Sequence, residues 1–387
     1  MFSGFLRSMN TFANLNLFYF RGADTRNANF SYFSGMSTTS NLNRREFVVR
    51  SSIVAGGLSL GLSSCAGKND PDVLGELNDF IHRVANPDGS FRPGVDPAYK
   101  GTSDTGLSGL ASPAYATILC ATFGWTLPHP EKTVEFFLSS QQPDGAFYST
   151  TGSMDPKGPL AKLYNTVQAV VSLRILGATP RYDPMPVIDY FFENGEFKEL
   201  PLYTTSFFPL FFAAVGQKMP DHIDKRMREY IIREQKEDGY LQDHVAATFH
   251  AAHYFRLAGE PTPKADAMVD RVLRDQKEDG SWHLREPAWD VHACFDALYI
   301  LRQLGYQTDP RIREAFKKAA AWTLTCRKPD GGFTHFPEGT NSDMDAVYFQ
   351  TGALVQSGFL KTRADLKDEE ILGWGHAMVP GKKYSRI

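Results

Sequence analysis

Gln276-Lys277-Glu278-Asp279-Gly280-Ser281-Trp282 lies between two helix-like segments, and its Asp-Gly pair recurs along the chain. The related turns are Asp88-Gly89, Asp144-Gly145, Asn194-Gly195, Asp238-Gly239 and Asp330-Gly331. A recurring interval of this kind is the signature of a repeat architecture, in which each unit cannot bury its apolar face alone and stacks on its neighbours. Before the quoted turn, residues 264–277 carry Ala265, Met268, Val269, Val272 and Leu273 at spacings of one helical face. The glycine then supplies the left-handed conformation common at helix ends. A second helix is predicted over 289–304 and stops at Gly305.

The other units follow the same plan. Unit six has helices over 311–326 and 342–355, unit four over 223–235 and 243–257, unit two over 131–141 and 163–176, and unit one over 77–84 and 112–123. Unit three is the most degenerate, with 185–192 and 202–215, a cluster of Phe207, Phe208, Phe211 and Phe212, and a kink expected at Pro209. Six helix pairs can form an open solenoid or a closed ring. The second helices are the more uniformly apolar, which suits an inner ring buried on both sides.

Composition bounds the rest. The 387 residues, with 42% hydrophobic and 22% charged, are ordinary for a globular protein, and a formal charge of −3 gives no electrostatic case for nucleic acid. No Gly/Ser- or Pro-rich linker interrupts 75–360, which therefore reads as one repeat domain, followed by a tail or strap over 361–387. Upstream, Asn43-Arg44-Arg45-Glu46-Phe47 precedes a weakly apolar stretch, 52–62, and then Leu62-Ser63-Ser64-Cys65. Twin arginine before a short apolar run reads as an export signal over 36–66, and that run falls short of the about 20 apolar residues that span a bilayer. Leu-Ser-Ser-Cys resembles a bacterial lipoprotein box, with Cys65 as the lipidated residue; a plain soluble export substrate is the alternative. Residues 1–35 read as a mis-called upstream extension, with Met36 the better start, or as a disordered segment. The remaining Cys120, Cys294 and Cys326 make no disulfide framework. The expected location is the periplasm or cell envelope, and the expected state a single chain with a small-molecule ligand.

The quoted heptapeptide is the QxxDGSW repeat of the triterpene cyclases and the protein prenyltransferase β-subunits. Gln235 and Gln141 hold the same slot in units four and two, while Phe91, Phe147, Phe197 and Phe333 stand for the tryptophan elsewhere. The resemblance covers 75–360 and implies an all-α (α/α)6 toroid in which these repeat residues are structural. It also implies that chemistry sits at the starts of the inner helices. Those positions read Tyr164-Asn165, Tyr203-Thr204, Asp243-His244, Asp290-Val291-His292 and Asp343-Met344-Asp345. Asp243, Asp290, Asp343, Asp345 and His292 are the candidate acid–base groups; Tyr164, Asn165, Tyr203, His244 and Tyr348 are candidates for holding substrate. Each of Asp243, Asp290 and Asp343 also has a plain reading as a helix N-cap.

Two inherited activities can be set against these residues. Squalene-hopene-type cyclases protonate an alkene with a DxDD motif, and here Asp343-Met344-Asp345-Ala346 lacks the last acid. Protein prenyltransferases hold zinc with an Asp-x-Cys and a His; His292-Ala293-Cys294-Phe295 resembles their His-x-Cys-Tyr segment, but Asp243-His244-Val245 lacks the thiol. Zinc on Asp243, His292 and His244 is possible with the motif incomplete. An exported enzyme with an apolar or ring-shaped substrate is therefore expected, the alternatives being a non-catalytic binding lipoprotein or a glycan-active (α/α)6 enzyme, the last on fold analogy.

Overall fold

The computed structural model describes residues 72–195, 197–284, 291–305 and 309–366. The export-signal segment, Cys65, Asp290 and most of the C-terminal tail lie outside them. The described helices are α1 (Val73–Val84), α2 (Ser103–Leu107), α3 (Ala111–Phe123), α4 (Pro130–Ser140), α5 (Pro159–Ile175), α6 (Met185–Asp189), α7 (Phe207–Val215), α8 (Asp221–Glu234), α9 (Val245–Ala258), α10 (Ala265–Asp275), α11 (Val291–Leu304), α12 (Pro310–Thr325) and α13 (Met344–Gln356). Two 3-10 segments, Tyr190–Gly195 and Leu202–Thr204, complete unit three. No strand occurs among the described residues, only single bridges across four of the repeat turns.

The inner ring is α3, α5, α7, α9, α11 and α13. Each packs on the next, and α13 packs on α3, so the ring closes. These helices are buried almost along their whole length; in α13 every residue is buried. A helix apolar or small on all sides can only be satisfied by neighbours on both flanks, which is what an inner ring supplies. The outer helices are amphipathic by contrast: α8 buries only Ile223, Met227, Tyr230 and Ile231.

The repeat turns are the joints. Asp238 Oδ1 accepts from Tyr240 N at 3.2 Å, and Gly239 N donates to Lys236 O at 3.0 Å; the same pair of bonds forms at Asp279 and Gly280. Gly280 has φ +97, and a Cβ there would strike the backbone of Lys318 in α12. Gly331 has φ +77 and lies likewise against Glu76 of α1, joining the last unit to the first. Both a positive φ and a close neighbour thus demand glycine. The glutamines act beside them: Gln276 Nε2 donates to Gly280 O at 3.1 Å and to Ala315 O, in the next outer helix, at 3.0 Å. The structural role expected for the repeat residues holds.

Some predicted boundaries shift. In unit two the inner helix starts at Pro159, four residues before the expected 163. Unit three has no continuous helix over 202–215: Leu202–Thr204 is a 3-10 turn and α7 begins at Phe207. Pro209 therefore falls in the first turn of α7, where its missing N–H costs no helical bond, and no kink follows. Of the four phenylalanines, Phe207 faces Tyr164 and His250, whereas Phe208 packs on Phe191 and Phe192 in the outer layer.

Candidate active site at the seam of the ring

The expected acids and histidines divide between two places. At the start of α13, where unit six meets unit one, Asp343 and Asp345 are both fully buried, and His292 of α11 is 7% exposed. His292 Nε2 lies 3.2 Å and 3.3 Å from the two oxygens of Asp345. The imidazole stacks on Phe349 at a ring separation of 3.7 Å, which fixes its plane. His335, in the loop before α13, brings Nε2 to 3.6 Å from Asp345 Oδ2 and shares a 3.0 Å hydrogen bond with Thr102 Oγ1.

A third group completes the cluster and was not anticipated: Asp104, in α2, is 2% exposed. One donor atom each of Asp104, His292 and Asp345 lies within 4.8 Å of the other two. Tyr115 of α3 donates its hydroxyl to Asp104 Oδ2. Asp104 lies in the insertion between the turn and inner helix of unit one, outside the inner-helix starts that the repeat marks. The Ser103-Asp104-Thr105-Gly106 stretch carries no signal of its own; Ser103 at φ +49, a backbone angle uncommon for a non-glycine residue, is visible only in three dimensions. Where Ala346 breaks the DxDD pattern, the second acid beside Asp345 is supplied by a different unit.

Burial pushes the Asp345 carboxyl up to about 7; the Asp104 charge pushes the same way, and His292 and His335 oppose it. Asp343 has a different task. It is the N-cap of α13, accepting from Asp345 N at 2.8 Å. Its other bonds come from the insertion of unit one: Tyr99 Oη at 2.7 Å, Thr102 N at 3.0 Å and Thr105 Oγ1 at 2.8 Å. Asp343 therefore pins the Asp104 segment onto the helix that carries Asp345.

The aromatic side chains around this point form a circuit through all six inner helices. Tyr115 stacks on Tyr348 at 4.1 Å, and Tyr348 meets Phe349 edge-on. Phe349 meets Phe295, Phe295 meets Phe249, and Phe249 meets His250. His250 meets Phe207, and Phe207 meets Tyr164. Tyr348 and Tyr164 are buried, and Tyr203 is half-buried with its hydroxyl pushed up to about 12, chiefly by burial and also by the Asp104 charge. Asn165 is buried, with Oδ1 accepting from Ser108 Oγ at 2.6 Å.

Asp243 and His244 do not join the cluster. Asp243 is exposed at φ +51, ion-paired with Lys236 at 2.5 Å, and lines a polar cleft of about 390 Å³ with Tyr240, Gln242, Arg271, Asp275, His283 and Leu284. Arg271 there is held by Asp238 and Asp275 and lies over the Tyr240 ring. His244, not Asp243, caps α9, accepting from Ala247 N at 3.3 Å through Nδ1. The zinc set suggested by the prenyltransferase resemblance is therefore not assembled: of its members only His292 is in the cluster, while Asp243 is outside, His244 caps α9, and the thiol position is the buried Val245.

Comparison with known proteins agrees with the ring. Residues 54–160, 129–194 and 193–377 match the family described as the prenyltransferase alpha-alpha toroid domain. A stretch of 85 residues, 22% of the chain, is 36% identical to squalene–hopene cyclase of Zymomonas mobilis and corresponds to 12% of that protein's length. Among solved structures, Candida albicans protein geranylgeranyltransferase-I, complexed with GGPP, superposes with a TM-score of 0.50 at 14% identity, over 65% of this chain and 84% of that one. A type II terpene cyclase from Scytonema superposes with a TM-score of 0.49 at 15% identity, over 74% and 96%.

Proposed function

For a chain that belongs to the prenyltransferase alpha-alpha toroid family, we propose a Brønsted-acid enzyme that protonates an apolar, unsaturated small molecule at the seam of the ring. The observation that carries this reading is the buried Asp345 carboxyl, facing a second buried carboxylate and an oriented imidazole. A carboxyl in such surroundings keeps its proton near neutral pH, as an acid catalyst must.

The step balances with the groups present. The O–H bond of Asp345 breaks and its proton forms a C–H bond on one alkene carbon, leaving the positive charge on the other. With the Nε2–H tautomer of His292, the carboxylate left behind accepts a hydrogen bond from Nε2–H, and a solvent proton restores the acid for the next turnover. The aromatic circuit offers ring faces to the developing cation, an attraction worth about 0.5–2 kcal/mol per well-placed ring. Loss of a proton to base or capture of water ends the reaction. Asp104 supports the proton on Asp345 by like-charge repulsion, and Tyr115 holds Asp104 in place.

The twin-arginine pattern supports export of this activity, with Cys65 as the point of lipid attachment. Replacing Arg44 and Arg45 together by lysine should leave the chain in the cytoplasm; an unchanged distribution in fractionated cells would remove the export proposal. For the chemistry, linear polyprenyl alcohols and hydrocarbons are incubated with the enzyme in heavy water. One non-exchangeable deuterium per product molecule is expected by mass spectrometry. Product without deuterium would sink the acid reading.

A further inference from the structure

We infer that Asp104, His292 and Asp345 form a site for one divalent transition-metal ion, a proposal that stands on the ligand geometry. Three donor atoms, two carboxylate oxygens and one imidazole nitrogen, come from α2, α11 and α13 and lie within 4.8 Å of one another. Around a tetrahedral ion with bonds of about 2.0–2.2 Å, donors stand roughly 3.4 Å apart. The His292–Asp345 separations of 3.2 and 3.3 Å already meet that figure. Asp104, on a five-residue helix, has at most about 1.4 Å to close, from 4.8 Å to roughly 3.4 Å.

The supporting shell is also in place. Tyr115 donates to Asp104, Phe349 fixes the plane of His292, and Asp343 pins the segment that carries Asp104. Partners of this kind orient metal ligands and tune their affinity. Two buried carboxylates this close need a counter-charge; a proton supplies one and a dication another. Oxygen and imidazole donors without a thiol favour zinc, cobalt(II), manganese(II) or iron(II) over softer ions. It shares only His292 with the ligand set suggested by the prenyltransferase resemblance, since Asp243 and His244 lie elsewhere.

The purified chain, stripped with chelator, is titrated with cobalt(II) and followed by its visible d–d bands, with metal content measured after desalting. One equivalent is expected, displaced by zinc. Asp104→Asn and His292→Gln should each weaken binding by about tenfold or more, with far-UV circular dichroism unchanged. Asp243→Asn, outside the site, should bind as the parent does. Absence of a saturable equivalent, or binding by both site variants as tight as the parent's, overturns the metal site and leaves the acid reading standing. If the metal-free protein incorporates no deuterium with any polyprenyl probe while the ion binds, the acid reading fails and the site itself remains.

Discussion

The starts of α9 and α13 are built from similar residues and end in opposite conditions. Asp243-His244-Val245 enters one inner helix and Asp343-Met344-Asp345 the other. At α9 the acid is exposed, paired with Lys236, and the histidine closes the helix end. At α13 the acid is the cap, its bonds reach into unit one, and a second acid two residues on is sealed inside. The difference comes from what covers each end. The insertion of unit one, with Tyr99, Thr102, Asp104 and Thr105, lies over α13 and excludes water. A helix start becomes a candidate site when another unit is laid across it.

The strongest way to break this contrast is to exchange its central acids. Asp345→Asn should lower deuterium incorporation by at least about a hundredfold, the usual scale for removing a general acid. Asp243→Asn should change it less than about twofold. Equal losses in both, with fold intact by circular dichroism, would make the exposed acid part of the chemistry and dissolve the distinction.

Next in size is the covering itself. Asp343→Ala removes the cap of α13 and, at the same time, the acceptor that Tyr99, Thr102 N and Thr105 share. A lost cap costs about 0.5–2 kcal/mol and a lost hydrogen bond to a charged group about 1.5–3 kcal/mol, so a loss of roughly 2–4 kcal/mol is expected in urea unfolding. His244→Ala, which removes the cap of α9, should cost about 1 kcal/mol. A ratio near one would mean that Asp343 staples nothing.

How much of this was readable beforehand follows from the physics of each part. The ring was legible because each turn is local: an Asp that bonds two residues on, a glycine at positive φ, and a glutamine reaching the next helix are all written within seven residues. His292 and Asp345 were legible because helix periodicity placed both near inner-helix starts. Asp104 was not, since its burial depends on a contact 241 residues away in the chain, Asp104 meeting Asp345 only when the ring closes. The displacement of Asp243 escaped for a related reason. Its outward turn depends on two successive left-handed residues, Gln242 and Asp243, neither of them glycine.

A pH series sharpens the contrast with a smaller effect. The Asp345 carboxyl sits at about 7 in the fold and near 3.8 when unfolded. Between those values the native state holds a proton that the unfolded chain has lost, so stability falls as pH rises and is lowest above 7. His292 and His335 already hold the carboxyl down to that value, so the drop from pH 5 to pH 8 should be on the order of 2–3 kcal/mol. Asp345→Asn should flatten that slope and gain relative stability at pH 8. Asp243→Asn should leave the slope as it is. A steeper slope in the Asp345 variant would reverse the sign and place the charged form as the favoured one.

The smallest expected effect concerns the Lys236–Asp243 pair, where both side chains are half open to water, at 50% and 54% exposure. Such pairs contribute about 0.2–1 kcal/mol, and added salt weakens them. A double-mutant cycle with Lys236→Gln and Asp243→Asn, read by urea midpoint, should give a coupling of about 0.5 kcal/mol that fades at about 1 M sodium chloride. Arg271, 3.9 Å from the other oxygen of Asp243, adds a weak second partner. Coupling above about 2 kcal/mol that persists in salt would mean water is excluded there, as it is at α13. The start of α9 would then be a second built site, and the cleft beside Arg271 would have to be treated as one.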